Sequence, residues 1–533
     1  MQIERYVRLE NPITIVRDRM AEFRWNSPFV LLIAIAGIVL VSAVASVKVF
    51  EGELLVAVAF LLMLLMLPLI IKSLSHPEWL VALYALIFGF YPRARIVFGP
   101  MPIYFIDVIL GVVLVIMALR LLKTLNAKTH ISWMAVSVIL FLLLSIPSLI
   151  RILFLIPDVG IEWFYLVLRH VLSIVVYFAF ANIVTTEKLA QRIVVFFYYT
   201  AILAGIWSTL QVVPATHEFG DEITKAISSL FGLQNSYRYS ANLVDGEYVN
   251  RGIAGYNIPT AFGGYMAVIL PLIIFPFLSP HRPKTLIPPY IGLPIASLGL
   301  IVSFARHAYL AFALAMIITW VLAYFWSPGV SNRLVIWGSV LIAIVALAVT
   351  FGLAEGPVAD LFADRAGTLT SVSSITSEKN YTLRVNDGFQ RFFRGIDKDN
   401  SILVWGQSVY LLDLADRKIG TNYEFVGFIS NGWVLLVLDA GVPTAVAFAG
   451  ILFGMIYMLG RRLSQLRDRS DWTVSLLIGC FGTLVSLAFA YFGDNYWLTQ
   501  VYMRSFTFLL LGLSMAALRL TMVEKSLVLR SPN

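Results

Sequence analysis

Apolar residues in this chain fall in long runs, without the period-two alternation of a half-buried strand or the polar face of a soluble amphipathic helix. Runs near or above the roughly 20 residues that a helix needs to cross a bilayer read as spans at 28–47, 53–72, 79–92, 101–120, 131–150, 163–184, 192–213, 259–278, 285–304, 307–326, 333–353, 429–460, 473–493 and 498–518. The third is short enough to be re-entrant, and the twelfth long enough to be tilted or to extend past the membrane. The pattern predicts an all-α polytopic integral membrane protein with about 14 transmembrane helices (about 12–14 if marginal runs do not cross).

Between these runs the polar segments divide the chain. Residues 1–27 read as a cytoplasmic N-terminal segment and 28–213 as the N-terminal transmembrane helices. Residues 214–258 form an extracytoplasmic loop, 259–353 the core transmembrane helices, and 354–428 a large, partly helical periplasmic loop. Residues 429–518 form the C-terminal transmembrane helices and 519–533 a cytoplasmic tail. The orientation comes from Lys and Arg. With an even number of spans and the N-terminus inside, Arg5, Arg8, Arg17, Arg19 and Arg24 and the cluster Arg461, Arg462, Arg467 and Arg469 are cytoplasmic. The short outer connections then hold only Lys48, Arg93, Arg95, Arg151 and Arg306, a bias of about fourfold in the direction of the positive-inside rule. Both termini are therefore expected in the cytoplasm, and both long polar loops on the outer face.

Composition agrees and narrows the classes. The chain is 59% hydrophobic and 13% charged, whereas a soluble domain carries roughly a quarter charged residues; an ordinary soluble enzyme and a disordered chain are both excluded. The net charge of +8 is accounted for by the topological bias rather than by a nucleic-acid surface. Cys480 is the one cysteine, so no intrachain disulfide forms. The mixed-charge N-terminus precedes a full-length apolar run and does not read as a cleavable signal. No internal repeat is found, which weakens a transporter reading. No Walker sequence, zinc spacing or GxSxG elbow occurs, so no metal and no cofactor are expected.

The outer segments carry the candidate chemistry. In the large loop, Arg384 and Arg391 lie seven apart on one helical face with Arg394 three further on, and Phe389, Phe392 and Phe393 supply an apolar side. Guanidinium groups so placed suit phosphate; the same spacing suits a solvated basic face or a lipid headgroup. Arg306 and His307 sit in a very tight connection between spans, which fits either interfacial snorkelling or a fixed cation for an anionic substrate. Within the spans, Asp107, Arg169, His170, Asp439 and Arg504 each need a partner or a wet cavity; an Asp107–Arg169 ion pair is the first expectation. Asp494-Asn495 lies at the outer start of the last span.

The segment Ser430-Asn431-Gly432-Trp433-Val434 through Asp439-Ala440-Gly441-Val442-Pro443 resembles the signature of the bacterial O-antigen ligase and polysaccharide polymerase superfamily: an Asn, an aromatic, an acid eight positions after the Asn and a glycine two later. Three further segments are similar, in order. Arg251 to Pro259 matches an Arg-x-x-Gly-x-x-x-x-Pro entry to a helix, Ser303 to Leu310 a tight turn with an essential arginine, and Leu383-Arg384 through Trp405-Gly406-Gln407 an arginine helix followed by a glycine turn. The resemblance covers about residues 160–515.

It implies a GT-C-like, inverting, metal-independent glycosyltransferase of the bacterial inner membrane. The donor would be a glycan on undecaprenyl pyrophosphate, the acceptor a glycan or lipid, with membrane lipids and other polysaccharide-assembly proteins as partners and no nucleic acid. In that reading Arg306 and Arg384 stabilise the departing pyrophosphate, and Arg169, Arg251, His307, Arg391, Asn431, Trp433 and Asp494 contact substrate. Ser430 stands where ligases of the family carry histidine. A serine hydroxyl is no general base near neutral pH without an activator, so Glu424 or His307 takes that role, or leaving-group stabilisation dominates. The missing histidine favours a polymerase of exopolysaccharide, capsule or O-antigen repeat units over a ligase. A transporter or flippase is the alternative of another class.

Overall fold

The computed structural model describes residues 84–85, 88–89, 95–98, 101–104, 111, 133–155, 160–213, 216–230, 241–244, 247–256, 258–326, 333, 337–338, 393, 401–406, 431–466, 471–493 and 501–528. Its helices are α1 (Trp133–Leu155), α2 (Gly160–Ile183), α3 (Glu187–Val212), α4 (His217–Leu230), α5 (Pro259–Leu278), α6 (Pro289–Val302), α7 (Arg306–Trp326), α8 (Ile402–Trp405), α9 (Gly432–Gln465), α10 (Trp472–Gly493) and α11 (Val501–Val528). Two antiparallel hairpins accompany them: β1 (Arg95–Phe98) with β2 (Met101–Tyr104), and β3 (Ala241–Val244) with β4 (Glu247–Asn250). The fold is an all-α helical assembly to which these two short hairpins are added.

Among the described residues, eight helices are long and apolar enough to cross a membrane, with α6 a shorter apolar helix beside them. The protein is a helical polytopic membrane protein. Its perimeter is apolar where a soluble protein's would be polar: Val136, Leu140, Leu143 and Ile150 on α1, and Leu310, Leu314, Ile317 and Val321 on α7, are exposed. Lipid tails, not water, suit such continuous stripes.

The interior is built on helix breakers and small residues. α5, fully buried, contains Pro271 and Pro276. A proline has no N–H for the carbonyl four residues back, and the carbonyl that Pro271 leaves open, Ala267 O, accepts Ser486 Oγ of α10 at 2.8 Å. Gly479 and Gly482 bring α10 close at the same place: a Cβ on Gly479 would meet Pro271 O at 3.0 Å. Gly205 of α3 likewise admits the backbone of α6, where a Cβ would meet Ile295 O at 2.4 Å. Small residues at crossings let helices gain dispersion contacts that the bilayer itself does not supply. Tyr84 and Phe88, from the short run at 79–92, are buried in this core, and Phe88 stacks on Phe506 with centroids 4.1 Å apart.

The longest helix is not straight. Gly441 (φ 83°, ψ 163°) interrupts α9. A straight helix rising 1.5 Å per residue would hold Trp433 and Phe453 about 30 Å apart, yet their rings stack with centroids 5.8 Å apart, and Phe448 is 5.9 Å from the same indole. The legs 432–440 and 442–465 therefore fold back on each other as a V with Gly441 at its apex. The twelfth apolar run, expected to be tilted or to project from the membrane, is folded back instead. Glycine ends the first leg and Pro443 opens the second, the positions at which each residue is best tolerated.

Candidate functional site

Only Ser303, Phe304 and Ala305 join α6 to α7, and the surrounding chain holds them from several directions. Ser303 Oγ donates to Leu300 O (2.6 Å) and accepts from Ala305 N (3.3 Å). Phe304 is left-handed (φ 49°), a conformation that costs a non-glycine residue roughly 1–2 kcal/mol and so needs outside support. Arg251 supplies it: its Nε donates to Ser303 O (3.0 Å) and its Nη2 to Phe304 O (2.8 Å). Gly252 N bonds Val302 O (2.8 Å), and Gly263 of α5 packs so close that a Cβ there would meet Ser303 Oγ at 2.6 Å. Behind Arg251 the segment is pinned by the buried Gln211 of α3. Its Oε1 accepts from Ile253 N and Ala254 N (3.0 and 2.9 Å), and its Nε2 donates to Thr224 Oγ1 of α4 (2.8 Å).

This clamp fixes Arg306 as the first residue of α7. Ala305 is the cap, its carbonyl accepting Tyr309 N at 3.1 Å, and its methyl offers no acceptor to the first N–H groups. Two basic residues, Arg306 and His307, thus occupy the helix start, where the macrodipole disfavours cations and favours an anion. An anion bound there would meet a guanidinium and a helix N-terminus together. His307 packs on the end of α10, where a Cβ on Gly493 would lie 2.4 Å from His307 Cβ.

Arg251 is accordingly a positioning residue for the turn. Replacing it with alanine is expected to lower the melting temperature in detergent, and Arg251→Lys, which keeps a cationic donor, should recover part of the loss.

Asn431 and Trp433 sit at the start of α9. Asn431 Oδ1 accepts from Trp433 N (3.0 Å) and Val434 N (3.1 Å), so the asparagine of the motif is a helix N-cap. Asn431→Ala should cost about 1 kcal/mol of stability, read as a thermal shift in detergent, with Asn431→Asp close to wild type. Trp433 lies against α10, its indole Nε1 donating to Ala488 O (3.4 Å) and its ring 5.3 Å from that of Tyr491. The last turns of α10, 488–493, therefore touch Trp433 on one side and His307 on the other, and bring the two motifs to one end of the bundle.

At the apex of the V the large loop docks. Gly406 (φ 70°) and Gly441 (φ 83°) meet back to back: a Cβ on Gly406 would lie 2.2 Å from Asp439 O, and one on Gly441 2.3 Å from Val404 O. Arg151 Nη1, at the end of α1, donates to Gly406 O (2.9 Å) and Ser401 Oγ (3.1 Å). Ser148 Oγ donates to Asp439 O (2.5 Å). Arg151 and Ser148 form a dock that sequence reading missed, although Arg151 stood out among the few basic residues of the short connections.

Arg169 is buried one layer deeper, beside His170 on α2. Arg504 Nη1 lies 2.8 Å from His170 Nδ1, and His170 Nε2 lies 2.7 Å from Ser145 Oγ. Arginine has only donors, so Nδ1 accepts, Nε2 carries the hydrogen, and Ser145 passes its own to Leu142 O (2.7 Å). Ser173 Oγ joins this layer, donating to Arg169 O and lying 2.8 Å from Ser505 Oγ. Arg384, Arg391, Glu424 and Asp494, and Asp107 as the expected partner of Arg169, lie outside the described residues. No protein-family model matches the chain, and no curated protein matches its sequence.

Proposed function

We propose that this protein is a membrane glycosyltransferase that joins undecaprenyl-pyrophosphate-linked repeat units into a polysaccharide. It would work on the extracytoplasmic face of the bacterial inner membrane, from a GT-C-like scaffold of about 14 spans with both termini inside. The observation that carries the reading is the clamped α6–α7 turn. It presents Arg306 and His307 at a helix start, where a pyrophosphate is electrostatically favoured. The ordered motif resemblance and the apolar perimeter, which suits a polyprenyl tail, support it further.

In the reaction an acceptor hydroxyl attacks the anomeric carbon of the lipid-linked sugar. The C–O bond to the pyrophosphate breaks with inversion, and its electron pair leaves on the phosphate oxygen. Arg306, with Arg384 from the large loop, stabilises that charge. The hydroxyl proton passes to Glu424 or His307. Gly406 docked on Gly441, with Arg151 across it, ties the large loop to the membrane helices.

Deleting the gene and resolving lipid-linked glycans by gel tests the reading. Accumulated single repeat units are expected. Long unattached chains would assign a ligase instead, and lipid-linked units trapped in the cytoplasm a flippase.

A further inference from the structure

At the opposite end of the bundle from the clamped turn, a cavity of about 210 Å³ opens between the end of α5 and the start of α6. Leu278, Pro289, Tyr290, Leu293 and Trp337 line it, with Arg282 and Arg333 as its charged groups. No carboxylate is among its lining residues. Arg333 Nη1 donates to Leu278 O, the last carbonyl of α5, at 3.2 Å. That bond anchors the guanidinium while leaving its remaining donors for a ligand, since arginine has five N–H groups. Arg282 has no acidic partner or hydrogen bond among the described residues. Trp337 is 8% exposed, and its buried indole N–H has no partner among the described residues. Such a donor is costly to bury unsatisfied.

The surroundings are interfacial. Leu286 is 94% exposed and Tyr290 64%; they flank the cavity together with Lys284 of the same basic loop. Exposed apolar and aromatic side chains interleaved with cations match the headgroup layer of a bilayer better than bulk water. This is also the end that the Lys/Arg distribution assigns to the cytoplasm, where anionic lipids are concentrated.

We propose that this cavity binds an anionic glycerophospholipid. Its phosphate sits between Arg282 and Arg333 and accepts the Trp337 N–H, and its first acyl methylenes lie on the exposed ring of Tyr290. The ligand is a lipid rather than free phosphate because most of the lining is apolar and opens beside the exposed Tyr290.

Native mass spectrometry of the full-length protein, taken from nanodiscs of phosphatidylcholine mixed with phosphatidylglycerol, tests this. Wild type should retain one phosphatidylglycerol in preference to phosphatidylcholine. The Arg282→Gln, Arg333→Gln double variant should retain about tenfold less, the scale of losing charge-assisted hydrogen bonds. Arg282→Gln alone changes an exposed side chain and should still lower retention, whereas Arg282→Lys should keep most of it. Trp337→Phe removes the N–H together with one ring of the buried indole and should lower retention along with the melting temperature. Equal retention by wild type and Arg282→Gln would overturn the proposal, as would displacement of the lipid by millimolar inorganic phosphate.

Discussion

Replacing Arg306 by alanine is expected to abolish polymer while leaving the protein at normal abundance in the membrane. The side chain stands at the head of α7, and the turn behind it is held by Ser303, Phe304 and Arg251. Its loss therefore removes a charge without removing the clamp. Taking one preorganised donor away from a developing oxyanion lowers rates by about 10²–10³, enough to reduce polymer below detection on a gel. Arg306→Lys keeps the charge but not the two-pronged geometry and should fall between. Arg251→Ala gives the contrast: activity and thermal stability drop together. Normal chain length in Arg306→Ala would remove this residue from the mechanism.

The second large effect is on folding. Gly441→Ala is expected to cost roughly 2–6 kcal/mol, adding strain in a backbone region almost reserved for glycine to overlap with a neighbouring backbone. The new Cβ would lie 2.3 Å from Val404 O, a carbonyl of the docked loop that cannot swing aside as a flexible side chain can. Either the V opens or the loop leaves its seat. Gly450→Ala, on the same helix with nothing within 4 Å of its Cβ, is the matched control and should be neutral or stabilising by up to about 1 kcal/mol. The yield of monodisperse protein and its melting temperature in detergent read both variants. Equal behaviour would mean that the apex is not a structural element.

Span positions were readable because hydropathy is local. The run at 259–278 is α5, and the run at 473–493 differs from α10 by one residue. The fold-back of α9 was not read, although its signal was present: Gly441-Val442-Pro443 stops one helix and starts another. An apolar run reports that a segment is buried and says nothing of its direction, so the V passed as a long span. Asn431 shows the same gap in another form. An Asn ahead of an apolar run is an N-cap signal, and Asn431 Oδ1 caps α9.

By itself, then, the sequence determined that this is a membrane protein, roughly where the described membrane helices lie, and which few polar residues stand out against the apolar background. Those properties add up residue by residue along the chain. Only the tertiary structure decided which polar groups meet. Arg251 clamps a turn 52 residues away, and Arg504 reaches a histidine 334 residues away. Such pairings depend on which helices pack side by side. In a bilayer that choice rests on glycine crossings, proline-freed carbonyls and interhelical hydrogen bonds, because burial of apolar surface no longer tells one helix face from another.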